Sequence, residues 1–134
     1  MTLASGPFDV KLAPLPAYNT DAGANLARMS IDKQFRGDLE ATSRGEMLSA
    51  MGGVKGSAGY VAVERVTGTL HGRGGSFTLQ HNATMTRGVA YLNIIIVPDS
   101  GSGELAGLTG SMKIIIADGG KHAYELDYAF SEPA

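Results

Sequence analysis

The chain has 134 residues, a net charge of −2 and no cysteine, and 43% of its residues are hydrophobic. This length fits one domain with a sizeable core, and the lack of cysteine excludes disulfides, thiolate nucleophiles and zinc–thiolate sites. With no signal-peptide pattern, no basic stripe and no apolar run near the roughly 20 residues of a membrane helix, we expect a cytoplasmic protein, one domain over 1–134, without nucleic-acid or membrane partners.

Alternation of apolar and polar residues, the two-residue period of β-strands, dominates the chain. In the first strand, Phe8, Val10 and Leu12 alternate with polar residues, and Pro14 and Pro16 are expected to end it. No stretch shows a sustained helical period. The pattern predicts eight strands, at 8–12, 29–35, 39–48, 60–71, 77–85, 89–97, 112–117 and 121–130.

The predicted connections are loops and turns rich in glycine. They lie at 17–25, 37–38, 51–57, 72–75, 87–88, 98–110 and 118–120. Eight strands joined by short turns favour an all-β fold, an eight-stranded antiparallel β-barrel, which also leaves no free sheet edge. The pattern leaves open which side chains of 39–48 and 89–97 face inward.

Two continuous apolar runs, Ile94-Ile95-Ile96 and Ile114-Ile115-Ile116, depart from the alternation. Consecutive strand residues point to opposite faces, so both faces of the sheet should be buried at these runs. Because no predicted helix is available to cover the outside, we expect a second copy of the chain to cover it. The sequence therefore predicts a homo-oligomer.

Familiar catalytic and cofactor motifs are weak in this chain. Gly101-x-Gly103-x-x-Ala106 matches a loose dinucleotide fingerprint, but a strand follows it where that motif needs a helix, so a turn is expected. The three histidines are far apart in sequence, so a metal site would need distant strands to converge. Ser43 and Ser76 lie in no recognisable hydrolase motif. We expect no metal and no cofactor.

A sharper signal comes from ionisable residues on otherwise apolar strand faces. Lys33 lies between Ile31 and Phe35, Glu64 between Ala62 and Val66, and His81 between Leu79 and Ala83. A charge that points into a barrel is costly unless it is paired, hydrated or in contact with a ligand. Two interpretations stay open: an internal Glu64–Lys33 ion pair without chemistry, or groups with tuned pKa values of the kind that acid–base catalysis uses.

Six motifs along the strands and turns form a recognisable set. They are Asp32-Lys33-x-Phe35-x-Gly37-Asp38-Leu39, Gly59-Tyr60-Val61-Ala62-x-Glu64, Gly68-x-Leu70-x-Gly72, Gly75-Ser76-Phe77-x-Leu79-Gln80-His81, Val97-Pro98-x-Ser100-Gly101-x-Gly103-Glu104-Leu105-x-Gly107-Leu108-x-Gly110 and His122-x-Tyr124-x-Leu126-x-Tyr128. Together they resemble a bacterial family of unknown function within the allene-oxide-cyclase-like barrel superfamily, and the resemblance covers nearly the whole chain. The segment Gly101–Gly110 also resembles, more faintly, plant allene oxide cyclases and dirigent proteins.

The resemblance implies an eight-stranded barrel with an interior cavity and a tendency to form oligomers. Characterised members of the superfamily guide reactive, mostly apolar intermediates through cyclisation or coupling, largely by confinement and orientation. None of their catalytic residues matches a position in this chain, so their activity is an analogy.

Three functional hypotheses follow. The first is a barrel that binds an apolar small molecule and acts as an isomerase or cyclase, with Glu64 and His81 as the acid–base groups and Lys33 orienting Glu64. The second is a non-catalytic carrier or sensor of such a molecule. The third is a structural or interaction protein whose interior is packed with side chains. Under the first hypothesis, the ligand-binding residues would be Tyr60, Phe77, His122, Tyr124 and Tyr128.

Overall fold

A computed structural model describes residues 1–131, so the last three residues of the predicted domain, 132–134, lie outside the described part. Its secondary structure is almost wholly β. Alternating inward apolar and outward polar residues give each long strand one buried face. The strands are β1 (Thr2–Leu15), β2 (Leu26–Phe35), β3 (Leu39–Met51), β4 (Ala58–Leu70), β5 (Arg73–Thr86), β6 (Val89–Ile96), β7 (Ser102–Gly103), β8 (Leu108–Ile116) and β9 (His122–Phe130), with one 3₁₀ turn, Asp118–Gly120.

Eight of these strands form a closed antiparallel β-barrel, as the alternation predicts. The barrel order is β1-β2-β3-β4-β5-β6-β8-β9, and a ladder between β9 and β1 closes it. The remaining strand, β7, is a two-residue segment that pairs with the start of β5. No helix among the described residues has the length and apolar character needed to cross a membrane.

Several predicted boundaries are wrong. β5 begins at Arg73 rather than at 77, and the predicted 98–110 connection contains β7 and the start of β8 at Leu108. Two further differences have a clear physical reason. The first strand runs from Thr2 to Leu15 and contains Pro14. Around Pro14, β1 pairs only with β2, because the ladder with β9 ends at Phe8. The proline nitrogen faces no second ladder, so the strand tolerates a residue without an N–H group there. The hairpin between β4 and β5 is His71-Gly72, not 72–75. Both residues have positive φ (47° and 80°), as a tight two-residue hairpin requires.

The two ends of the barrel differ in packing. At one end, called the packed end, large apolar side chains fill the interior; among them are Phe35, Leu39, Leu70, Phe77, Leu105 and Leu126, all at most 1% exposed. Leu105 comes from the 97–107 connection, which folds over this end. At the opposite, open end, inward-facing residues such as Leu12, Met85 and Leu92 are more than 40% exposed. Side chains therefore fill the interior at the packed end and leave it partly unfilled at the open end.

The ladder between β6 and β8 is the shortest in the barrel. It holds two residue pairs, Ile94–Met112 and Ile95–Ser111, whereas 89–93 pair only with β5 and 113–116 only with β9. The two strands thus separate towards the open end. Of the two isoleucine runs, Ile94 and Ile96 are buried inside, whereas the outward-facing Ile115 is 42% exposed in this single chain. The second subunit expected to cover this face stays a prediction.

Candidate functional site

Four polar side chains from the successive strands β2 to β5 meet in the middle of the barrel. They are Lys33, Ser43, Glu64 and His81, and all are buried: Glu64 is 0% exposed, His81 3% and Lys33 8%. Antiparallel register brings them together, since Lys33 lies directly opposite Ser43, and inward-facing positions of β4 and β5 continue the same layer.

Glu64 is the centre of this group. Its Oε2 accepts hydrogen bonds from Lys33 Nζ (2.8 Å) and from His81 Nε2 (2.6 Å), and its Oε1 accepts one from Ser43 Oγ (2.8 Å). The internal Lys33–Glu64 ion pair expected from the strand pattern is therefore present. The hydroxyl of Ser43 and the imidazole of His81 both bond to Glu64 rather than to each other. Ser43 therefore lacks the hydrogen bond to a histidine that a serine nucleophile needs.

The charge state of Glu64 follows from these contacts. Burial alone would raise the pKa of Glu64, but the hydrogen bonds and charges of His81 and Lys33 outweigh burial and hold the pKa at about 2. An ionised carboxylate only accepts hydrogen bonds, so the Nε2 of His81 must carry a proton. In the neutral form of His81, the lone pair then lies on Nδ1.

A glycine lets β3 and β4 approach closely beside this site. Gly45 faces Glu64 across the ladder, and a Cβ atom at Gly45 would meet the carbonyl oxygen of Val63 and lie 2.6 Å from Glu64 Cα. Any larger residue would push the backbone of β4 away. The close approach keeps Glu64 within hydrogen-bonding distance of Ser43 on β3.

A cavity of about 230 Å³ lies above the polar group, on the side of the open end. Most of its wall is apolar, and four polar residues join it. The lining residues are Phe8, Val10, Leu12, Ile31, Lys33, Met47, Tyr60, Ala62, His81, Leu92, Ile114, Ile116 and His122. A second apolar space of about 500 Å³ at the rim shares Leu12, Met47, Tyr60 and Leu92 with it, so the two spaces adjoin.

Lys33 and His81 line the cavity, whereas Glu64 and Ser43 lie behind them. Among residues 1–131, every fully enclosed side-chain nitrogen or oxygen has a hydrogen-bond partner. His81 Nδ1 makes no hydrogen bond within that part of the chain, so this atom must reach the open space of the cavity. Lys33 Nζ lies 5.2 Å from the centre of the Phe8 ring and 5.7 Å from that of Phe35, distances that suit cation–π attraction.

Comparisons with known proteins place this barrel among relatives. The family model of DUF3224, described as a protein of unknown function, matches residues 4–128. The chain belongs to the DUF3224 family. A search of functionally curated proteins gave no match. A crystal structure of a DUF3224 protein of unknown function from Shewanella oneidensis MR-1 is 58% identical, with a TM-score of 0.93, and the match covers 100% of this chain and 99% of that chain.

Membership in DUF3224 confirms the resemblance at the level of a family of unknown function. The similarity to the Shewanella protein extends over the full barrel, so both chains share one fold. Within this DUF3224 chain, the residues predicted as a site divide into two groups. Lys33 and His81 both contact Glu64, and Tyr60 and His122 line the cavity above them.

The other three predicted ligand contacts lie in the packed end, apart from the cavity. Phe77 is part of the core. The hydroxyl of Tyr124 accepts a hydrogen bond from the backbone N–H of Leu39 (2.8 Å) and donates one to the carbonyl of Arg36 (2.7 Å). Tyr128 contacts the imidazole of His71. These side chains therefore close and fill the packed end.

The role of Ser43 has no signature in the sequence. Its partner Glu64 is 21 residues away, and only the register of β3 against β4 brings the two together. The one signal in the sequence is its position, because Ser43 is odd-numbered and the odd-numbered residues of β3 face inward. Within residues 1–131, no three histidine, aspartate or glutamate side chains form a group suited to holding a metal ion.

Proposed function

We propose that this DUF3224 protein binds an apolar small molecule in the cavity at the open end of the barrel. The main support for this proposal is a largely apolar cavity that reaches the rim of the barrel and ends on the buried side chains of Lys33 and His81. Ligand sites are typically concave, mostly apolar and supplied with a few polar groups that fix orientation. The two adjoining spaces together are large enough for a small-molecule ligand.

The resemblance to allene-oxide-cyclase-like barrels supports the same proposal, because characterised members of that superfamily confine apolar intermediates. The packed-barrel alternative predicts an interior without a cavity, and the cavity of about 230 Å³ argues against it. Binding as a carrier or sensor and binding as an enzyme share this cavity, and the first test concerns binding alone.

The test uses the neutral, apolar fluorescent probe N-phenyl-1-naphthylamine. Its emission should rise when it enters the cavity of the wild-type protein. Ala62→Phe places a ring in the cavity, because Ala62 faces inward and lines it. We expect this variant to weaken probe binding at least about tenfold, since the ring removes the space and the contacts that the probe would use.

The matched control is Val61→Phe. Val61 is the neighbouring residue on β4, faces outward and is 52% exposed. It lines a groove on the outer face of the barrel. Circular dichroism would show that both variants keep the β fold. Loss of binding in the Val61 variant, with normal binding in the Ala62 variant, would place the probe in the outer groove and refute the proposal.

A further inference from the structure

The cavity ends on a small polar group whose net charge is zero when His81 is neutral. Lys33 and Glu64 form a buried ion pair, and Ser43 and His81 also donate hydrogen bonds to Glu64. When His81 is neutral, these two residues add no charge. A ligand carboxylate would bring a second buried anion towards Glu64 with no additional cation to balance it. With His81 neutral, the site therefore favours a neutral polar group on the ligand.

Two groups at the cavity floor are available to that ligand. His81 Nδ1 has no protein partner within residues 1–131 and reaches the cavity. Lys33 Nζ donates one proton to Glu64 and retains two further N–H groups. Lys33 Nζ and His81 Nε2 both donate to Glu64 Oε2. The two nitrogens therefore lie within roughly 5.5 Å of each other.

Glu64 gives His81 a defined role. The carboxylate holds the imidazole by its Nε2–H, fixes the tautomer and orients the ring, while Ser43 and Lys33 hold the carboxylate itself. An ionised carboxylate behind the ring also stabilises the imidazolium that forms when Nδ1 accepts a proton. This arrangement leaves one base in the cavity, with a hydrogen-bond donor next to it.

We propose that the ligand is a neutral, apolar ketone and that His81 Nδ1 removes a proton from the carbon next to its carbonyl. The inference rests on the proposed binding function and assigns a substrate class and a reaction to the same cavity. His81 is the catalytic base, Lys33 Nζ contacts the carbonyl oxygen, and Glu64 and Ser43 are positioning residues.

The step balances without a co-reactant. The carbon–hydrogen bond breaks and its electron pair forms a carbon–carbon double bond, while the carbonyl π pair moves to oxygen. The proton goes to His81 Nδ1, and the enolate oxygen accepts a hydrogen bond from Lys33 Nζ. In a ketone with a β,γ carbon–carbon double bond, return of the proton to the γ-carbon gives the conjugated isomer. In a ketone without that double bond, the proton returns to the same carbon; either return restores neutral His81.

The experiment uses 2-tetralone, a small neutral ketone, in deuterium oxide. Displacement of N-phenyl-1-naphthylamine measures binding, and the loss of the C1 proton signal in NMR measures exchange. The reference rate is that of free imidazole at the same concentration. We expect the wild-type protein to exceed this rate, and His81→Gln to lower the protein-dependent rate at least about 100-fold.

His81→Gln retains an N–H donor for Glu64 but lacks the basic ring nitrogen, so 2-tetralone should still displace the probe. The control His71→Asn removes a histidine at the packed end and should exchange at the wild-type rate. Excess N-phenyl-1-naphthylamine should also stop exchange in the wild-type protein, which tests the site without any variant.

The outcomes separate the two proposals. If the naphthylamine does not bind and the protein does not accelerate exchange of 2-tetralone, the binding function and the reaction are both refuted. If the naphthylamine binds but 2-tetralone does not displace it, a neutral ketone is refuted as the ligand class. If 2-tetralone binds but wild-type exchange does not exceed that of imidazole, or if His81→Gln exchanges as fast as wild type, the assignment of His81 as the base is refuted and binding stands.

Discussion

The buried Lys33–Glu64 pair makes a prediction about stability that separates a paired charge from an unpaired one. Glu64→Gln leaves Lys33 charged inside the barrel without its counter-ion, and Lys33→Met leaves Glu64 with only neutral donors if His81 is neutral. Removing one partner of a buried pair typically costs about 3–5 kcal/mol, because the remaining charge stays desolvated. Each single variant should therefore lose that much of its free energy of unfolding.

The double variant Lys33→Met/Glu64→Gln has no uncompensated charge. Replacing both members of a buried pair by neutral groups of similar size is often nearly neutral. We expect the double variant to be no less stable than either single variant, so that the coupling free energy is at least about 3–5 kcal/mol. Domains of this size are stable by about 5–15 kcal/mol, so the single variants should be measurably weakened.

Urea titrations followed by circular dichroism would give the four free energies of the cycle. The exposed ion pair Arg28–Glu46 provides the control, since both side chains are at least 40% exposed. Glu46→Gln should cost less than about 1 kcal/mol. If the two buried single variants add to the double variant within about 0.5 kcal/mol, Lys33 and Glu64 do not interact as a charged pair and the reasoning fails.

Two further predictions concern the same site. The pKa of Glu64 in the folded protein is about 2, below its ordinary 4.5, so ionised Glu64 stabilises the fold above pH 4.5. About 3 kcal/mol of the free energy of unfolding should be lost as the pH falls towards 2. Urea midpoints that depend on pH in the same way in wild type and Glu64→Gln would contradict this prediction. Gly45→Ala should cost about 1–3 kcal/mol because its Cβ meets β4. Gly53→Ala, with no atom within 4 Å of its Cβ, is the control; equal thermal midpoints would exclude a close approach at Gly45.

Much of the barrel is evident from alternation alone. The inward faces of β4 and β5 follow from runs such as Ala62, Glu64 and Val66, because a strand with one buried face must alternate. The boundaries of β1 are harder to predict from the sequence. A proline is excluded from a strand only where the ladder needs a backbone N–H, and the ladder partners of Pro14 depend on the closed sheet.

The site shows the same division. Buried Lys33, Glu64 and His81 stand out because charged or polar residues interrupt apolar faces, whereas Ser43 does not, because a serine in a strand is common on either face. The sequence predicts the aromatic residues as one set that lines the cavity, yet Tyr60 lies at the cavity and Tyr124 in the packed end. Side chains that share a parity still differ in height along the barrel axis.

The order of residues along the chain thus determines the class of fold, the inward face of most strands and the presence of buried ionisable groups, since these depend on local periodicity and on the cost of burying charge. The closed sheet decides which of those groups meet and where space is left. Register places Ser43, Glu64 and His81 in one layer, and the 97–107 connection fills one end while the other stays open. Both depend on contacts between residues far apart in sequence, which no local pattern encodes.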